Sequence, residues 1–282
     1  MFGWYINRCG ATNGHSSLAP LAVRVHTTWR RRPVRYRPLC GWSVCDDDSL
    51  NVLSFTSVRL RSLFAKYGNV IQADSTYQGN RGGYHLWHVV ITDCNGVGRS
   101  VFYSFIRNES QECYDVAVEH FVRIMCPVNV VRTIVVDKHK SQLCSLKTAM
   151  PDAAVIFCFF HVIQSFKARI KKLREVTRSD KEVLSAWPKR MVHCREVSEF
   201  EVYATSIRGR NQEFWSYLSE QWLADLSTWA KHAVTLGNET TYRVESANRY
   251  IKWKLTEPSL LLTCVQAIIN RNEQLEAKYR RL

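Results

Sequence analysis

Nowhere does the chain run for about eighteen apolar residues, so no segment reads as a membrane span. It has no Cys-x-x-Cys pair and no evenly spaced cysteine framework. Its ten cysteines fall irregularly, at 9, 40, 45, 94, 113, 126, 144, 158, 194 and 264. That pattern argues against a disulfide scaffold and for reduced thiols packed as small hydrophobes in a reducing compartment. The opening "MFGWYINRCGATNGH" lacks a basic start followed by an apolar segment, so a secretory leader is not expected. Internal repeats and low-complexity tracts are absent. Acidic residues are scarce: 25 Asp and Glu stand against 39 Lys and Arg, a net charge of +14 with a pI near 9.5. That surplus favours polyanionic partners, chiefly nucleic acid, held by salt-dependent contacts. The expected location is the nucleus or cytoplasm, with no small-molecule substrate.

What the sequence does have is core-forming material. Of 282 residues, 46% are hydrophobic and 12% aromatic, enough for one large domain or one domain with an insertion. Residues 1–50 stand apart. "HTTWRRRPVRYRPLCGW" holds a basic cluster, two prolines and no clear period, and reads as a basic, disordered arm. Arg30, Arg31, Arg32, Arg35 and Arg37 suit phosphate contacts or a nuclear address; a solvated basic tail is the competing reading. Cys40 and Cys45 lack His or Cys partners at zinc-finger spacing.

From residue 51 the pattern becomes regular. Leu60, Leu63 and Phe64 share one face of a short helix. "VIQADSTYQGN" reads as a strand, "GYHLWHVVITD" as a second and "RSVFYSFIRN" as a third, with an Asn-Gly turn between the last two. "SQECYDVAVEHFVRIMC" is helical, with Ser110 as its cap. "VRTIVVD" and "AAVIFCFF" are short, almost wholly apolar strands of the kind buried on both faces of a parallel sheet. Helices follow each. The resulting β-β-β-α-β-α-β-α order is that of the ribonuclease H-like fold, an α/β class with a mixed sheet. Residues 51–174 form its core, 175–237 an all-helical insertion, and 238–282 the C-terminal helices that complete the core.

Two aspartates then occupy comparable places. Asp74 lies near the end of the first core strand and Asp137 ends the fourth. In this fold those strands are parallel neighbours, which sets two carboxylates side by side. A divalent cation lets both stay ionised; without one, one of them takes up a proton. An alternative for Asp137 is a helix cap. In "TTYRVESANRYIKWKL", Glu245, Asn248 and Lys252 share a polar helix stripe, which could complete such a site or be solvated. Lys167, Arg169, Lys171, Lys172 and Arg174 form the strongest basic run, with Lys167, Lys171 and Arg174 on one helix face, suited to phosphates. Cys158 and His161 have zinc-ligand chemistry at a workable spacing. His193 and Cys194 are candidates to complete four ligands. Trp215, Trp222 and Trp229 recur every seven residues, a spacing for helix packing more than for base stacking.

The segments "NVIQADSTYQGNRGGYHLWHVVITDCNGVGRSVFYSFIRNES", "VRTIVVDKHKSQLCSLKTAMPDAAVIFCFFH" and "TTYRVESANRYIKWKL" resemble, in order, the blocks of the Mutator-like (MULE) transposase domain. They come closest to the ribonuclease H-like domain of zinc-finger SWIM-domain proteins. The resemblance spans about residues 50–280. It implies a DDE triad of Asp74, Asp137 and Glu245 binding two Mg²⁺ or Mn²⁺ ions for DNA strand cleavage and transfer. It implies DNA as partner; a homo-oligomer is a separate expectation, with the oligomeric state left open. Ser75 stands where the family has Gly, and the SWIM zinc motif is missing. A domesticated, inactive interaction module is therefore the alternative.

Overall fold

The computed structural model describes residues 5–8, 38–44, 49–76, 80–174, 176–194, 196–229 and 260–279. Its centre is one mixed sheet in the order β1-β2-β3-β6-β5-β4-β7-β8. The strands are β1 (Tyr5–Arg8), β2 (Pro38–Val44), β3 (Leu50–Ser57), β4 (Val70–Thr76), β5 (His85–Thr92), β6 (Gly98–Ile106), β7 (Thr133–Val136) and β8 (Ala154–Phe157). As expected, β4, β5 and β6 form an antiparallel meander, and β7 and β8 run parallel to β4. The five strands β6-β5-β4-β7-β8 are the ribonuclease H-like core.

The sheet is wider than the sequence pattern implied. Order does not begin at residue 51: β2 pairs antiparallel with β3, and β1 runs parallel beside β2. Within the expected disordered arm of residues 1–50, Tyr5–Arg8 and Pro38–Val44 are therefore sheet, which corrects that expectation for those segments. Pro38 opens β2, the strand position where a missing N–H disturbs the ladder least. Cys45 and the arginines between 30 and 37 lie outside the described residues.

The added strand β3 hides its period because it is buried almost throughout, polar residues included. Each of these polar side chains is hydrogen-bonded. Asn51 donates to Glu112 and accepts from the Cys113 thiol, at 3.3 and 3.0 Å. Ser54 shares a 2.9 Å bond with Ser104, and Thr56 donates to the Val101 carbonyl at 2.5 Å. Such pairing is what lets polar groups sit in a core.

Helices cover both faces. Here α1 is Val58–Tyr67, α2 is Gln111–Met125, α3 is Lys140–Ala149 and α9 is Leu261–Tyr279. Side chains alternate along β6, so Phe102 and Tyr103 point opposite ways. Phe102 meets Phe121 of α2 edge-on at 5.3 Å, and Phe121 also meets Phe64 of α1 at 5.6 Å. Tyr103 donates its hydroxyl to Asn272 of α9 at 3.1 Å. Ser110 caps α2 as expected, accepting from the Cys113 N–H. At the Asn95-Gly96 turn the Asp93 carboxylate accepts from two backbone N–H groups, and Gly96 takes a φ of +72° that a side chain would strain.

Beyond β8, α4 (Phe159–Lys172) leads into α5 (Arg178–His193), α6 (Val197–Arg210), α7 (Gln212–Gln221) and α8 (Leu226–Trp229). Phe166 of α4 fastens these helices to the core, meeting Trp222 at 5.0 Å and Trp229 at 5.7 Å. Trp229 is fully buried and donates its indole N–H to the Trp222 carbonyl at 2.9 Å. Trp222 and Trp229 are therefore core, and neither is open to a nucleobase. Trp215 is half-buried.

His120 of α2 shares a 2.9 Å bond with Ser54 beneath the sheet, and burial, with Arg123 nearby, lowers its pKa from 6.5 to about 3. The folded state thus holds it neutral, while the unfolded chain takes up its proton below pH 6.5. Stability should fall as pH drops from about 6.5 toward 3, by up to ~1.4 kcal/mol per pH unit from this group. Urea denaturation at several pH values should show His120→Gln losing that part of the slope; an unchanged slope contradicts the assignment.

Candidate functional site

The site is built by register. β4 and β7 are parallel, and their last matched rung is Gln72 with Val135. Two residues further along each strand stand Asp74 and Asp137. On the next strand, Val136 pairs with Phe157, so Cys158 follows opposite Asp137, and its N–H donates to the Val136 carbonyl at 2.7 Å. On the other side Asp74 pairs with His88, and His88 with Tyr103. One row therefore runs through Tyr103, His88 and Asp74 on β6, β5 and β4, and continues to Asp137 and Cys158, the residues just past β7 and β8. It stands on the face that α9 covers at Tyr103, and it reaches the open strand ends at Asp74 and Asp137, both half-buried.

The residues around Asp137 turn away to other duties. Lys138 bonds Asp225 at 2.9 Å and the Gln221 carbonyl, and lies 4.4 Å over the Trp222 ring, pinning the end of α7. His139 caps α3, its Nδ1 accepting from the Gln142 N–H, and packs 5.3 Å from Tyr114. With the cap supplied by His139, Asp137 is not the capping residue that its position could have meant. Its carboxylate instead meets His161 Nδ1 in the first turn of α4. Asp137 Oδ1 is sealed from solvent and faces His161 Nδ1 in a close ion pair. Donor atoms of Asp137, Cys158 and His161 lie within 4.8 Å of one another, and Cys158 is fully buried.

Burial works against a charge on His161, but its contacts with Asp137 and Cys158 outweigh that and raise the pKa to about 11. Beside Asp74, Ser75 turns to the other face. It donates to Glu109, and the Tyr114 hydroxyl reaches Ser75 and Glu109 at 3.1 and 3.2 Å. Burial pushes the Tyr114 hydroxyl up, and the Glu109 and Asp74 carboxylates add to it. Glu109 ends the Asn-Glu step within the first segment of the family resemblance, but was assigned no role from the sequence.

Two carboxylates on adjacent strand ends fit a hard divalent cation, since they are acceptor-only oxygens that otherwise repel. The strand register sets Asp74 and Asp137 at neighbouring strand ends. Glu245, Asn248 and Lys252 lie outside the described residues. Cys158 and His161 are brought together as well, but with Asp137 as their third member. His193 packs edge-on to Phe159 at 5.9 Å, and the Cys194 thiol donates to the Arg190 carbonyl at 3.2 Å; neither joins that group. Of the basic run, Lys167, Lys171, Lys172 and Arg174 are exposed. Arg169 instead pairs with Glu213 at 3.1 Å and lies over Tyr217, holding α7 against α4.

Residues 39–156 match the family model described as the RNaseH-like domain of zinc finger SWIM domain-containing protein 1/3. The matched span takes in nearly all of β2 through β8 and both aspartates, and ends just ahead of Cys158 and His161. No curated protein matches the chain.

In metal-free protein, the His161 ring should stay protonated through pH 8, as followed by NMR of its ring nitrogens. Asp137→Asn should let it lose the proton well below that. A wild-type ring that titrates near 6.5 contradicts the ion pair.

Proposed function

We propose that this chain, whose residues 39–156 match a model of a nucleic-acid-related RNaseH-like domain, is a transposase-derived DNA-binding domain with a DDE site for strand cleavage and transfer. The observation that carries the reading is the row that sets Asp74 beside Asp137 at neighbouring parallel strand ends. Those two residues, with Glu245, would hold two Mg²⁺ or Mn²⁺ ions. Such ions supply activation of water or a DNA 3′-hydroxyl and stabilisation of the leaving oxygen.

The chain's own contribution is position and charge. β4 carries Asp74, and β7 ends one residue before Asp137. The Ser75–Glu109–Tyr114 network fixes the outer end of β4. The exposed Lys167, Lys171, Lys172 and Arg174 on and just after α4 would track a phosphate backbone away from the site, and Asn248 and Lys252 would steady a phosphate beside it. The charge of +14 favours such contacts.

A second reading has its own observation. Asp137 is already engaged by His161, which suits a domesticated interaction module that keeps the fold and has lost strand transfer. Nicking of supercoiled DNA by the purified chain, with and without Mg²⁺ or Mn²⁺, separates the two. The DDE reading expects metal-dependent nicking that Asp74→Asn and Glu245→Gln both abolish. Folded protein that binds DNA but nicks in no metal contradicts it and favours the module. In either case, neutralising Lys167, Lys171 and Arg174 should lower the salt dependence of DNA binding by about one unit of slope per residue. Binding that ignores salt contradicts the nucleic-acid reading altogether.

A further inference from the structure

The group at Asp137 has a different chemistry from the rest of the row. A thiol, an imidazole nitrogen and a carboxylate oxygen come together there, from just past β8, from the start of α4 and from just past β7. Mg²⁺ has little use for sulfur, whereas zinc is bound by just these three donor types. The thiol is fully buried, and the other two donors are half-buried, so the group has a closed inner side and an open outer one.

We propose that Asp137, Cys158 and His161 form a Zn²⁺ site with one coordination position left open. The inference goes beyond the strand-transfer reading and does not need it, because Asp74 is not a ligand. Zinc bonds of about 2.0–2.3 Å set tetrahedral donors roughly 3.3–3.8 Å apart. The three donors lie within 4.8 Å of one another, at most about an ångström beyond that spacing. Binding expels one proton from the Cys158 thiol and one from the His161 ring, and the freed ring nitrogen turns its lone pair to the metal. Three protein ligands leave a position for water or a phosphate oxygen, at the mouth of the strand-end row. Asp137 belongs to both arrangements. Zinc at this site therefore competes with Mg²⁺ at the aspartate pair, and the two occupancies exclude one another.

The test is a Co²⁺ titration of the metal-free full chain, followed by optical absorption, with Zn²⁺ as displacer. A thiolate-to-cobalt charge-transfer band is expected, rising to one equivalent and erased by Zn²⁺. Cys158→Ser should remove the band. His161→Gln and Asp137→Asn should weaken binding by more than the roughly 10–100-fold that loss of an outer partner costs. Asp74→Asn should leave the band intact while removing nicking, so that failure of one reading is told apart from failure of the other. His161→Gln, at a half-exposed position, serves if Cys158→Ser fails to fold, as judged by circular dichroism. A wild-type chain without the band overturns the site. So does a band that survives Cys158→Ser and His161→Gln, because other cysteines then supply it, and so does one lost in folded Asp74→Asn.

Discussion

Between β4 and β7 the backbone is parallel, in a register that matches Val70 with Thr133, Ile71 with Ile134 and Gln72 with Val135. Everything at the strand ends depends on that register. A slip of one residue would turn Asp137 to the opposite face, since side chains alternate with a period of two. Ile71, Ala73, Ile134 and Val136 are fully buried, and Gln72 and Val135 on the alternate face are buried too, so the paired strands run inside the core. That pairing positions the polar strand ends.

The charge problem raised by the site is met by the same geometry. Two carboxylates side by side are unfavourable unless a cation joins them. In the metal-free chain the cation at hand is the His161 imidazolium, delivered by α4 one turn beyond the end of β8. It couples the strand ends to the helices beyond β8, because α4 also carries Phe166 into the Trp222–Trp229 cluster. Lys138, next to Asp137, binds the same region from the sheet side. These helices and the row are therefore linked at both flanks of Asp137.

Much of this was legible in the sequence, and for definite reasons. The short β-branched runs that became β7 and β8 are buried on both faces, which is what a near-continuous apolar stretch means. Asp74 was legible because a charge inside such a pattern needs a reason. What was missed was masked by polar residues in the core. Asn51, Ser54 and Thr56 broke the apolar pattern of β3, and only their distant partners Glu112, Ser104 and Val101 explain them. β2 was hidden behind a proline and an arginine cluster. The capping role of His139 could not be separated from the alternative at Asp137 until the helix start was seen. Asp137 as the third neighbour of Cys158 and His161 is a tertiary fact: the spacing of two ligands says nothing about a carboxylate twenty residues upstream on another strand.

The central claim is that the strand-end row is a metal-binding edge centred on Asp137. Anomalous diffraction from crystals of the full chain, soaked separately in Mn²⁺ and Zn²⁺, tests it most directly. The account predicts a Mn²⁺ peak between Asp74 and Asp137, and a Zn²⁺ peak among Asp137, Cys158 and His161. Crystals in which neither metal comes within bonding distance of Asp137 would contradict it.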